Sequence, residues 1–146
     1  MPATVLDTPF DPLQVLHQHE QTLDAGGYGA AAHFIGTMRN HNEGVSVSSL
    51  TLEHYPAMTA KELAKIIDDA HTKWKLIDAL IVHRVGTMTP GDPIVLTAVW
   101  SAHRADAFEA CRYLMEELKS RAPFWKKETL ADGVDRWVEK NTSGYT

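Results

Sequence analysis

Lys119, Arg121, Lys126 and Lys127 stand within ten residues, in the segment KSRAPFWKKE, around the apolar Pro123-Phe124-Trp125. The whole chain carries a formal net charge of −5, so this is a local cationic patch on an acidic background. Lysine neutralises a phosphate or carboxylate as a point charge, and acts as base or nucleophile when burial lowers its pKa. Arginine grips phosphate oxygens in pairs. The patch therefore suits a small anion or one acidic protein surface. Strand alternation sends Lys126 to the face opposite Trp125 and Lys127, so the two lysines have different jobs.

Further polar residues stand where elements end. Thr37, Met38 and Arg39 close a strand and lead into an Asn-rich loop. His103 and Arg104 open a helix directly after a strand, Lys119 ends that helix, and Glu128 follows the lysine pair. Element ends are where a rigid scaffold presents functional groups. Each residue also has a purely structural reading, favoured when it is taken singly: the arginines pair with surface carboxylates, Lys119 meets the negative end of its helix, and Lys126 and Lys127 form a solvated strand face. Together they describe an α+β domain with a cationic, partly aromatic anion pocket.

Other chemistries lack their signatures. There is no phosphate-binding glycine loop, no nucleophile elbow and no H-E-x-x-H. The eight histidines show no metal-ligand spacing, and no metal or resident cofactor is expected. The single cysteine, Cys111, lies on a helical apolar stripe and reads as core filling. The acidic balance argues against nucleic acid. No stretch approaches the ~20 apolar residues of a membrane span. The beginning, MPATVLDTPFDPLQ, lacks the basic and apolar regions of a signal peptide, which points to the cytoplasm.

The elements that must position these residues follow from periodicity. Residues 1–12, with three prolines, read as an irregular lead-in, and 13–23 as a short helix. Residues 29–39 read as a buried strand, 40–44 as a loop, and 45–55 as a strand bulged near Ser48-Ser49, where the apolar phase slips by one. Residues 56–74 predict a helix with a Thr59–Glu62 capping box and a Met58–Leu63 staple. Strands at 77–88 and 93–102 form a hairpin about the TPGD turn. Residues 103–122 predict a second long helix, with Ala107, Phe108, Cys111, Leu114, Met115 and Leu118 as its stripe, ended by Pro123. Two short strands about Asp132-Gly133 close the chain. Hairpins dominate, so the class is α+β. The division expected is a lead-in over 1–28 and one domain over 29–146.

The stretches FIGTMRNHNEG, LTLEHYPAMT, IVHRVGTMTPGD, SAHRADAFEA, LKSRAPFWKKE and DRWVE, in unbroken order over residues 29–140, resemble the large, catalytic subunit of molybdopterin synthase. The resemblance implies a sulfurtransferase of molybdenum cofactor biosynthesis with an α/β-hammerhead core. It implies sulfur transfer to cyclic pyranopterin monophosphate from the thiocarboxylated Gly-Gly tail of a small ubiquitin-like subunit. It implies a homodimer of this chain within a heterotetramer. Lys119 and Lys126 match the family's pocket lysines, where the tail enters. Thr37, Met38, Arg39, His103, Arg104, Lys127 and Glu128 match its substrate-contacting positions. The stretch ADGVDRWVEKN is one residue longer than the family leads one to expect, and the tail after Lys140 offers no basic residue. Residue chemistry alone leaves a rival of another class, a non-catalytic adaptor that binds an acidic tail through the lysine patch.

Overall fold

The computed structural model describes residues 2–138; residues 139–146, with Lys140 and the TSGYT tail, lie outside the described part. Its centre is an antiparallel pair, β5 (Leu76–Arg84) and β7 (Pro93–Ser101). Both strands are almost continuously apolar because both of their faces are covered. Ala79, Ile81, Val95 and Val99 meet Leu63, Ile66, Ile67 and Ala70 of α2 (Pro56–Lys73), and Cys111, Leu114 and Leu118 of α3 (Arg104–Arg121). On the other face Leu80, Val82, Leu96, Ala98 and Trp100 form a second cluster with Leu16 of α1 (Pro12–Glu20).

Two strands flank this pair. β2 (Ala30–Thr37) runs antiparallel beside β7, and β1 (Ala3–Leu6) runs parallel beside β5, in the order β1-β5-β7-β2. The irregular reading of residues 1–12 is thus corrected. The short Ala-Thr-Val-Leu run pairs with β5, and Val5 packs against two of the cores. The reading of 29–39 as a buried strand is also corrected. β2 is the outer strand, and Phe34 on it is exposed.

A second sheet holds β3 (His41–Asn42), β4 (Val45–His54), β8 (Phe124–Leu130) and β9 (Asp135–Val138), with β6 (Gly86–Met88) also paired to β4. The expected bulge is present, as a register shift between Val47 and Ser49. The single strand expected over 77–88 is divided. Gly86 takes φ +85°, which turns the chain from β5 in one sheet to β6 in the other. The TPGD turn forms as expected, with Gly91 at φ +92° and the Asp92 amide donating to the Thr89 carbonyl at 3.0 Å.

Two details of the helices differ from expectation. α2 begins at Pro56, the first residue of the expected range, so its N-cap is Tyr55 and not Thr59. Thr59 is therefore inside the helix, fully buried, with its hydroxyl donating to the Tyr55 carbonyl. No capping box forms, and Met58 is exposed. In α3 the stripe is buried at Ala107, Ala110, Cys111, Leu114 and Leu118, while Phe108 is 67% exposed.

Arg121, in the last turn of α3, ties that helix to α2. Its Nε donates to Glu62 at 2.7 Å, and its Nη1 to Asp69 at 3.0 Å and Glu117 at 3.2 Å. Removing it leaves three carboxylates facing one another. Arg121→Met is expected to lower stability by about 1–2 kcal/mol in urea unfolding, with the deficit shrinking as salt screens the repulsion. A variant as stable as the parent at low salt would show that the helices dock without this cluster.

Candidate active site

The two sheets and the end of α3 enclose a cavity of about 250 Å³. β2 brings Phe34 and Thr37 to it, β4 brings Leu50 and Leu52, and β5 brings His83. Lys119 enters from the last turns of α3, and Lys126 from β8. A neighbouring recess of about 190 Å³ shares Thr37, Lys119 and Lys126, and continues to Arg39, His41 and Glu128. The cavity proper is mostly apolar, so charges brought into it interact strongly.

Lys119 feels this directly. Burial of its ammonium, and then the charge of Lys126, hold its pKa below the usual lysine value, partly opposed by Glu116. The residue as a whole keeps an exposed flank. The desolvation is therefore local to the charged end that lines the cavity, and the shift says more about reactivity than about stability. Lys126 is half-buried on the same strand face as Phe124 and Glu128, as the alternation requires.

His83 is buried, at 7% exposure. Its ring stacks on Phe124 with centroids 4.1 Å apart, and its Nδ1 donates to the Arg84 carbonyl at 2.9 Å. Burial lowers its pKa to about 4, against the opposing backbone hydrogen bond, with smaller contributions from Lys119 and His54 in the same direction. It is neutral in the cavity at physiological pH.

Residues 5–121 match the sequence profile of the family described as MoaE protein. The chain belongs to the MoaE protein family. It is 59% identical over 111 residues to the molybdopterin synthase catalytic subunit of Ralstonia nicotianae, a match that covers 76% of this chain and 62% of that protein. The chain thus spans less than two thirds of the Ralstonia protein. With the Escherichia coli subunit of the same name it shares 48% over 132 residues, covering 90% and 87%. Among solved structures, the MoaE protein of Burkholderia ambifaria superposes with a TM-score of 0.80 at 41% identity, covering 98% of this chain and 92% of that one. Molybdopterin synthase from Staphylococcus aureus does so at 0.81 and 35%, covering 92% and 94%. The profile match begins at residue 5, well before the residue 29 from which the resemblance was read.

In this MoaE-family chain the candidate residues are sorted by place. Thr37, Arg39, Lys119, Lys126 and Glu128 line the cavity or its recess. Met38 reaches the recess but is buried in the core with Val47, Leu50 and Met88. Glu128 is also buried, where it accepts from Asn42 at 3.1 Å and from Arg136 Nε at 3.0 Å. Lys127 lies on the other face of β8, with Nζ 5.7 Å from the Trp137 ring centroid. Arg121 is the ionic tie between helices described above, so its charge is neutralised outside the cavity. His103 is the N-cap of α3 and Arg104 its first residue. Arg104 stands fifteen residues from Lys119 along the helix, roughly 22 Å away, and neither it nor His103 lines this chain's cavity.

Sequence reasoning passed over His83, Phe34 and Met115 in the lining. His83 carried a usable signal, as an imidazole directly after the apolar run ALIV. In an unfolded chain His83 titrates near 6.5, but in the folded one near 4. Between these values only the unfolded state takes up the proton, so acid favours unfolding. His83 is expected to remove about 3 kcal/mol of stability as pH falls from 6.5 to 4. Denaturant titrations at several pH values should show a shallower acid loss in His83→Phe. An identical slope would mean that the folded imidazole titrates normally.

Proposed function

We propose that the chain is the catalytic subunit of a molybdopterin synthase, transferring sulfur from the thiocarboxylated tail of a small ubiquitin-like subunit to cyclic pyranopterin monophosphate. The observation that carries this reading is the pair Lys119 and Lys126 at one small, mostly apolar cavity, in a chain whose relatives bear that name. Both reactants are anions, and a narrow cavity with two ammonium groups suits a Gly-Gly tail, which has no side chains to exclude. Each transfer forms one carbon–sulfur bond to the pterin side chain as a carbon–oxygen bond at the same carbon breaks, the oxygen leaving as water or with the opened phosphate ester. Water then cleaves the bond between that sulfur and the tail's acyl carbon, freeing the tail as a carboxylate. Lys126 and Lys119 stabilise the negative charge on the acyl oxygen, and Lys119, with its lowered pKa, exchanges the proton. Arg39, at the outer recess, holds the phosphate.

His103 and Arg104 lie too far along α3 to serve the cavity of their own chain, so we place them in the cavity of a second copy within a homodimer. That dimer with two small subunits makes the heterotetramer. Among the described residues no helix is long and apolar enough to cross a membrane. We place the reaction in the cytoplasm, where the one free thiol, Cys111, stays reduced.

The decisive experiment supplies thiocarboxylated small subunit and cyclic pterin, and measures formation of the dithiolene. Tail binding without turnover would instead support the adaptor reading. Lys119→Ala is expected to abolish product while circular dichroism stays unchanged. Lys119→Arg keeps the charge but cannot readily lose a proton, so it is expected to be nearly as inactive in single-turnover assays. Near-parental turnover by the arginine variant would reduce Lys119 to an electrostatic role. The second-copy placement has its own test. Lys119→Ala and Arg104→Ala chains, co-expressed and purified as mixed dimers, are expected to regain activity that neither has alone. Mixed dimers as inactive as their parents would return Arg104 to some other task.

A further inference from the structure

Four of the side chains lining the cavity are polar: Thr37, His83, Lys119 and Lys126. A charged lysine only donates hydrogen bonds. The side-chain acceptors facing an incoming group are therefore the Thr37 hydroxyl and His83. The Arg84 carbonyl can only accept, so the proton on the neutral imidazole is on Nδ1, and Nε2 carries a lone pair. The stack on Phe124 fixes the plane of the ring. Among the described residues no hydrogen bond to Nε2 is present, and Nε2 is not among the fully enclosed unpaired atoms, which comprise Arg84 Nε alone. The small exposure left to His83 belongs to a residue that lines the cavity.

We propose that His83 is a ligand-binding residue of this cavity, its Nε2 accepting a hydrogen bond from an N–H of the group that enters. A peptide or pterin N–H taken from water into apolar surroundings is costly unless it finds an acceptor. A carboxylate in this place would pair with Lys119 or Lys126 and neutralise it. A neutral imidazole orients the donor and adds no charge to the cavity. Two donors fit: a backbone amide of the Gly-Gly tail, or a ring N–H of the pterin. The inference rests on the sulfur-transfer reading, and binding measurements separate the two.

The test compares His83→Phe, which keeps the stack and removes the acceptor, with His83→Gln, whose amide oxygen reaches a place near that of Nε2. The affinity of the chain for carboxylate-ended small subunit and for cyclic pterin is measured by calorimetry. KM and kcat are measured with thiocarboxylated small subunit. His83→Phe is expected to weaken one of the two ligands by about tenfold in Kd and KM, with kcat nearly kept and with His83→Gln recovering most of the loss. Weakening confined to the small subunit assigns the N–H to the peptide, and weakening confined to the pterin assigns it to the ring. Unchanged affinity for both ligands in His83→Phe overturns the proposal. So does an equal fall in kcat for both variants at unchanged KM, which would mark His83 as structural. Parental binding without turnover would sink the sulfur-transfer reading, while the calorimetric comparison would still decide the role of His83.

Discussion

The antiparallel pair β5–β7, buried on both faces, is the constraint on which the remaining architecture hangs. It fixes where α2 and α3 lie on one side and α1 on the other. Its turn at Gly86 sends the chain into the second sheet, so that β4 is paired by both β6 and β8. The cavity is the space left where these two sheets and the end of α3 fail to meet. Its walls are thus parts of two cores, and its polar groups are carried on elements that cannot move independently.

Charge is sorted by the same geometry. Four cations close in sequence have three fates. Arg121 is engaged by three carboxylates, Lys127 lies over Trp137, and Lys119 and Lys126 converge on the cavity. Burial of the Lys119 ammonium, and next the nearby charge of Lys126, lower its pKa. A bound anion favours the charged form and acts against both. The arrangement is held in place by packing elsewhere, chiefly by the α2–α3 contact that positions the last turn of α3.

Much of this was legible in the residue pattern. The two long helices, the hairpin about Pro90-Gly91, the bulge in β4 and the opposite facing of Lys126 and Lys127 follow from periodicity and turn chemistry. What was not legible depended on neighbours. β1 is only four residues long and makes sense only beside β5. The T-x-x-E pattern at Thr59 was a true local signal overridden by Pro56. Phe34 and Phe108 look like core residues because sequence cannot tell which strand is outermost or which helix flank is left open. The structural duty of Arg121 arises from Glu62 and Asp69, more than fifty residues away. His83 was hidden for the opposite reason, since a polar residue in a buried strand is easily read as packing.

Cys111, buried against Thr97 on the inner side of α3, gives the molecule a chemical silence. Burial pushes its thiol pKa up, so it stays protonated, and protonated thiols neither attack disulfides nor trap oxidised sulfur. It is the only cysteine of the chain. A thiocarboxylate or dithiolene passing close by would meet no competing thiolate on this chain. Under the proposed sulfur transfer, the chain's one thiol thus stays out of the exchange.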